Sequence, residues 1–320
     1  MRIGMIGAGA LGLYYGALLQ KAGHDVHFLL RRDYQSIISN GLQVKSPRGN
    51  FMLSDVQGYR RVEEIGVVDL VLIGLKAYSN DQMASLVAPL VGPQTVLLTL
   101  QNGLGNEEVL ARAFGAHHVI GGVAFLCCNR GEPGVVNHLD QGAVRLAEFA
   151  DGLTERVIKL SDLFTSASIP CEACADLQKI RWEKLAWNIP FNGLCALTGL
   201  STDRLLSCPE MVTLIKQVMF EVVAAANSQG LSEAIDADAF IQRLLDVTAG
   251  MGPYKPSMMV DRLENRPIEL EAIYGVPLER AKTVGMPMVR VAMLHALLMV
   301  SEVSTREQGC QVMADKAAVE

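Results

Sequence analysis

Lys184, Asn188 and Asn192 recur at i, i+4 and i+8, so they fall along one stripe of a helix. Leu185, Trp187, Ile189 and Phe191 lie between them, which predicts a largely buried segment. A lysine and two carboxamides pointing together into an apolar surround suit a small molecule bearing a carbonyl and a carboxylate. The plainer alternative is a lysine whose stem snorkels to water, with both asparagines satisfied structurally. Pro190 is expected to kink this helix and free a backbone carbonyl near Ala186. At the other end of the chain, Gly7-Ala8-Gly9-Ala10-Leu11-Gly12 spells G-x-G-x-x-G between a strand candidate and a helix candidate. In that placement Gly7 makes a tight turn, Gly9 lets a pyrophosphate approach the backbone, and Gly12 lets the helix pack close to the sheet. The helix then offers unpaired N–H groups and a positive dipole end to the phosphates of a dinucleotide.

The second strand candidate bears on which dinucleotide. Chains that bind NAD place an acid near its end, to accept hydrogen bonds from the ribose. Here the strand ends Leu29-Leu30-Arg31-Arg32, with no acid before Asp33. Guanidinium groups at that point suit a 2′-phosphate, and so NADPH; a solvated charge pair is the alternative. Lys76 and Asn102 follow two further apolar strand candidates, at the carboxyl ends where ligands gather. Later, Tyr254 to Asp261 reads as a loop entering a helix capped by Ser257. Arg266-Pro267-Ile268-Glu269 reads as the start of another helix, with Pro267 and Glu269 in its first turn.

The elements that must carry these residues change texture along the chain. Apolar runs alternate with helical patterns in the first half, as in a parallel sheet with crossover helices. Leu42 to Val56 reads as an extended hairpin, and Val135 to Phe149 as a strand that turns antiparallel. Beyond about Asp176 the spacing becomes helical, over Gln178–Leu197, Met211–Gln229, Ala237–Val247, Pro267–Val284 and Pro287–Val303. The expected architecture is therefore α/β plus all-α, with a Rossmann-type doubly wound sheet over 1–175 and an all-helical substrate domain over 176–320. The 320 residues carry 28 Lys+Arg against 34 Asp+Glu, a net charge of −6 without a basic tract, which argues against nucleic acid. No apolar run approaches a membrane span. Seven scattered cysteines fit free thiols in a reducing cytoplasm. Cys171 and Cys174 read as buried thiols in an extended segment, with no metal expected. Met211, Met219, Met286, Met288, Met293 and Met299 suit core packing, or alternatively the seam of a homodimer.

Taken together, several motifs in order across the whole chain resemble the ketopantoate reductase (2-dehydropantoate 2-reductase) family. They are G-A-G-A-L-G, L-K-A after Leu75, Q-N-G-L-G-N from Gln101, R-W-E-K-L-A-W-N with Asn192, K-P-S-M-M-V-D from Lys255, and R-P-I-E at Arg266. The resemblance implies NADPH-dependent reduction of 2-dehydropantoate to (R)-pantoate, on the route to pantothenate and coenzyme A. It implies Lys184 and Glu269 as catalytic residues, with Asn188, Asn192, Ser257 and Asn102 at the substrate. It implies a cofactor site of Gly7, Ala8, Gly9, Ala10, Leu11, Gly12, Arg31, Lys76, Asn102 and Glu269, beside which Arg32 is expected. The family often reads E-I-D-x-I-N-G where this chain has Glu269-Leu270-Glu271-Ala272-Ile273-Tyr274-Gly275, so Tyr274 is expected to reshape the pocket. That departure motivates a second reading, a reductase of another small 2-oxo acid; a third is a non-catalytic NADPH-binding redox sensor, against which the Lys184, Asn188 and Asn192 stripe speaks.

Overall fold

The computed structural model describes residues 1–302, and the chain divides into two compact units between Ile180 and Arg181. In the first unit the chain runs β1 (Arg2–Ile6), α1 (Ala10–Lys21), β2 (Asp25–Leu29), α2 (Tyr34–Asn40), β3 (Leu42–Lys45), β4 (Phe51–Leu53) and β5 (Gln57–Tyr59). It continues through β6 (Leu70–Ile73), α3 (Asn80–Val87), β7 (Val96–Thr99), α4 (Asn106–Phe114), β8 (Val119–Arg130), β9 (Val135–Glu148), α5 (Glu155–Ser166) and β10 (Cys171–Ala173). All ten strands form one sheet in the order β4-β3-β9-β8-β7-β6-β1-β2-β5, with β10 also paired to β9.

From β5 across to β8 every pairing is parallel. The chain leaves β1 for β2 on one side and later returns to β6 on the other, so the strand order reverses at β1. Ligands bind outside the carboxyl ends of the strands at such a switch point. β9 turns back antiparallel to β8, with register shifts at Phe125/Leu126 and Cys127/Cys128 that bend the ribbon. The expected hairpin at 42–56 is β3 and β4.

Two cores cover the two faces of the sheet, and the strands feed them by alternation. Leu70 and Leu72 of β6 join Ile3, Met5, Tyr15 and Phe164 in one, whereas Val71 and Ile73 join Ile6, Met83 and Leu110 in the other. Each such aliphatic side chain contributes about 1.5–3 kcal/mol on full burial. β10, the short extended segment expected around Cys171, completes the β9 side. Of the unit's helices only α1 was placed individually by the sequence, and α2 to α5 were not. α2 has only seven residues. α5 is amphipathic, and Thr154 caps it by accepting from the Val157 N–H.

The second unit is helical. α6 (Leu177–Thr198) leads into it and is followed by α7 (Thr202–Leu206), α8 (Pro209–Asn227), α9 (Ala237–Gly250), α10 (Ser257–Leu263), a π-helical turn (Glu271–Gly275), α11 (Val276–Thr283) and α12 (289–302). α6 remains helical through Pro190. Two helix starts differ from expectation. Arg266 to Glu269 is not helical, because the segment first runs as loop and the helix opens at Leu270. Pro287 likewise precedes its helix; the expected end at Val303 lies outside the described residues. Met219 and Met288 are core, while Met293 and Met299 are exposed. Among the described residues no helix is long and apolar enough to cross a membrane, and no cluster of His, Cys, Asp or Glu could hold a metal ion.

The Thr154 hydroxyl also donates to Glu148, a buried carboxylate that takes an ion pair from Arg156. Thr154→Ala is therefore expected to lower the unfolding free energy by about 1–2 kcal/mol in denaturant melts. An unchanged midpoint would show that α5 does not depend on its cap.

Candidate functional site

At the nucleotide end the three glycines differ in what surrounds them. Gly7 has φ +95°, and a Cβ there would lie 2.4 Å from the Leu75 backbone nitrogen. A Cβ on Gly12 would lie 2.3 Å from the Gly7 carbonyl oxygen. Both glycines are therefore consumed by packing α1 against the ends of β1 and β6. Gly9 is the opposite case: nothing lies within 4 Å of its notional Cβ. It is the N-cap of α1 and supplies no side chain to bond the first-turn N–H groups. Ala8, Ala10 and Leu11 remain half-buried around this opening. The combination fits a pyrophosphate, since the backbone donors are presented and the space over Gly9 is clear.

Around the opening, the Cys128 thiol of β8 donates to the Ala10 carbonyl at 3.6 Å. Burial pushes that thiol up to about 12, so it is a neutral wall and not a thiolate. Burial likewise raises Cys171 to about 11, which removes the thiolate character a redox Cys-x-x-Cys needs.

Lys76 and Asn102 stand just beyond β6 and β7, both half-buried. The Asn102 loop is held by a relay of side chains that sequence reasoning passed over. Thr99 Oγ1 donates to Gln101 Oε1 at 3.0 Å, and Gln101 Nε2 to Asn80 Oδ1 at 2.8 Å. Asn80 Nδ2 donates to Asn106 Oδ1 at 2.8 Å, and Asn106 Nδ2 to the Asn102 carbonyl at 3.0 Å. Gln101 and Asn106 lie in the Q-N-G-L-G-N motif, but their half-buried partner Asn80, on α3, carried no local signal.

The two arginines beyond β2 are not equivalent. Both are exposed. Arg32 bonds Asp33 through Nε at 3.3 Å and reaches the Gly131 carbonyl at 3.4 Å. The Arg31 guanidinium has no partner among the described residues. Asp33 is 2 % exposed and also takes Nη2 of Arg130. The cofactor expectation for Arg32 thus meets a side chain already engaged in the fold.

In the helical unit, α6 holds Lys184 half-buried, Asn188 at 4 % exposure and Asn192 at 1 %. Among the described residues no hydrogen bond engages the Asn188 carboxamide. Asn192 is brought to Ser257: its Oδ1 accepts the Met258 N–H at 3.0 Å and the Ser257 hydroxyl at 3.4 Å. That corrects the expected cap of α10. Pro256 occupies the N-cap position, Ser257 is the first helical residue, and Asn192 supplies the capping oxygen from another helix. Because an N–H must meet an oxygen, the carboxamide orientation is settled and Nδ2 faces the other way. Glu269 is buried, and its carbonyl accepts the Ile273 N–H at 3.3 Å where the π-helical turn begins. Wide turns of this kind are frequent at functional sites.

Tyr274, the departure from the family pattern, packs against α6. It is fully buried and its hydroxyl donates to the Ile189 carbonyl at 2.7 Å. Burial holds its phenol well above the ordinary value. The same hydroxyl would sit 2.4 Å from a Cβ on Gly193, so the tyrosine fits against α6 only where that helix has glycine.

Comparison with known proteins agrees with this geometry. Residues 3–151 match the family model described as ketopantoate reductase PanE/ApbA, and residues 176–302 match its C-terminal counterpart. A 2-dehydropantoate 2-reductase of Nostoc sp. is 43 % identical over 296 residues, covering 91 % of this chain and 92 % of the relative. The crystal structure of 2-dehydropantoate 2-reductase from Geobacter metallireducens GS-15 superposes with a TM-score of 0.93 at 52 % identity, covering 94 % of this chain and 100 % of the other. That from Methylococcus capsulatus gives 0.86 at 30 % identity, covering 95 % and 98 %. The glycine cradle, the strand order and the polar stripe on α6 thus occur in a member of the ketopantoate reductase family, an N-terminal Rossmann-like domain followed by a helical one.

Proposed function

We propose that this chain reduces the C2 ketone of 2-dehydropantoate, using NADPH, to give (R)-pantoate. The observation that carries the reading is the α6 stripe, in which an ammonium and two carboxamides share one line of a largely buried helix. NADPH, when bound, supplies the hydride. As bonding at C2 changes, negative charge grows on the ketone oxygen, and the Lys184 ammonium stabilises it and delivers the proton. Such a term is strongest in a dry, preorganised site. Asn188, whose carboxamide has no partner among the described residues, donates to the substrate. Asn192 donates through Nδ2, held in orientation by the α10 N-terminus. Ser257 adds a hydroxyl, and Glu269 supplies the buried carboxylate that orients Lys184.

The cofactor end follows the same logic. The Gly7-to-Gly12 segment receives the pyrophosphate, Lys76 and Asn102 line the cofactor beyond it, and Arg31 takes the 2′-phosphate. Support for NADPH over NADH is the unpaired guanidinium at the end of β2 and the engagement of Asp33 elsewhere. A charge-assisted pair to phosphate is stronger and more directional than a neutral hydrogen bond.

Three measurements check the reading. Lys184→Ala is expected to lower kcat on 2-dehydropantoate by about 10²–10³-fold with NADPH binding retained, as for loss of a donor felt in the transition state. Wild-type turnover by that variant would refute the role. Arg31→Ala is expected to raise KM for NADPH by about 10–100-fold, the worth of one charge-assisted interaction, and to leave KM for NADH nearly unchanged; equal effects on both would remove the phosphate assignment. Gly9→Ala is expected to fold normally, because its φ of −79° suits alanine, and to weaken NADPH and NADH alike by crowding the pyrophosphate.

A further inference from the structure

We infer that Arg130 governs cofactor choice indirectly, as a positioning residue that withholds Asp33 from the adenosine ribose of the bound dinucleotide. The inference deepens the NADPH reading above and rests on it. Asp33 stands where an NAD-binding chain would keep its ribose acceptor, about 20 residues beyond the last glycine of the motif. An available carboxylate there would accept from a 2′-hydroxyl and repel a 2′-phosphate. In this chain the carboxylate is spoken for on both oxygens. Arg130 Nη2 meets Oδ2 and Arg32 Nε meets Oδ1 at 3.3 Å, leaving the side chain 2 % exposed.

Arg130 is the partner that decides this. It is the last residue of β8, 97 positions from Asp33, and its side chain is 27 % exposed against 55 % for Arg32. A pair nearer to burial is screened less by solvent and salt, so its electrostatic hold is the stronger of the two. Two guanidiniums thus neutralise the carboxylate, and the one left over beyond β2 is Arg31. The strand end therefore presents a cation where an acid stands in the chain. Arg130 itself need not touch the cofactor, because its effect is to cancel an acceptor that would otherwise select the unphosphorylated ribose.

The test is steady-state kinetics with NADPH and NADH on the full chain, with thermal melts as a folding control. Arg130→Met is expected to lower the NADPH/NADH ratio of kcat/KM by roughly tenfold or more, through a higher KM for NADPH and a lower KM for NADH, with kcat nearly unchanged. Arg130→Lys, which keeps the charge, should stay near the wild-type ratio. The double variant Asp33→Asn/Arg130→Met removes the released acid and is expected to return the ratio towards wild type. An unchanged ratio in folded Arg130→Met overturns the inference. So does a double variant as impaired with NADPH as the single one, since Arg130 would then act on the phosphate directly. Should Arg130→Met fail to fold, Arg130→Gln, a neutral donor of similar length, carries the same expectation. A wild-type preference for NADH would instead sink the NADPH reading, and it is read from the unmutated chain alone.

Discussion

The nucleotide end depends on how closely α1 approaches the strands it leaves and crosses. Gly7 and Gly12 allow that approach because neither has a Cβ: backbone atoms of Leu75 and of Gly7 itself fill the space a methyl would need. With the helix seated this low, its N-terminal donors open towards the carboxyl ends of β1 and β6, at the point where strand order reverses. Gly9 contributes by what is missing over it. The same residue type thus serves two opposite needs, contact at two positions and clearance at the one between.

The helical unit solves a different problem, which is to place polar groups on the buried side of a helix and find them partners. Asn192 is satisfied by the N-terminus of α10, an exchange that also fixes which way its amide faces. Tyr274 meets the Ile189 carbonyl one residue before Pro190. These contacts hold α6 in one arrangement on both sides of the proline. Asn188 has no such engagement among the described residues, so the packing of α6 uses an oxygen of one carboxamide in the stripe and none of the other.

Much of this was legible in the chain because the signals are local. The glycine spacing acts on consecutive backbone units, and the Lys184, Asn188 and Asn192 stripe is a property of helical period. The strand candidates of the first half emerged because alternation feeds two cores at once. Helix starts were read less well. Pro267 looks like a first-turn residue and Ser257 like an N-cap, yet the one helix opens at Leu270 and the other begins at Ser257 with Asn192 Oδ1 accepting the Met258 N–H. Capping can be supplied by any acceptor that the fold brings near, so the sequence of a helix end under-determines it.

By itself, then, the amino-acid order determined the two-part architecture, the glycine turn between β1 and α1, and the line of polar groups on α6. Tertiary structure alone decided which polar residues remain available for chemistry. Arg32 and Asp33 are drawn to the far end of β8, Asn192 is partly committed to α10, and Tyr274 is turned into α6. Each of these pairings joins residues some 65 to 99 positions apart. Local periodicity says which face a side chain occupies. Its partner on that face is chosen only when distant segments pack, because the demand that buried polar groups be satisfied acts in space and not along the chain.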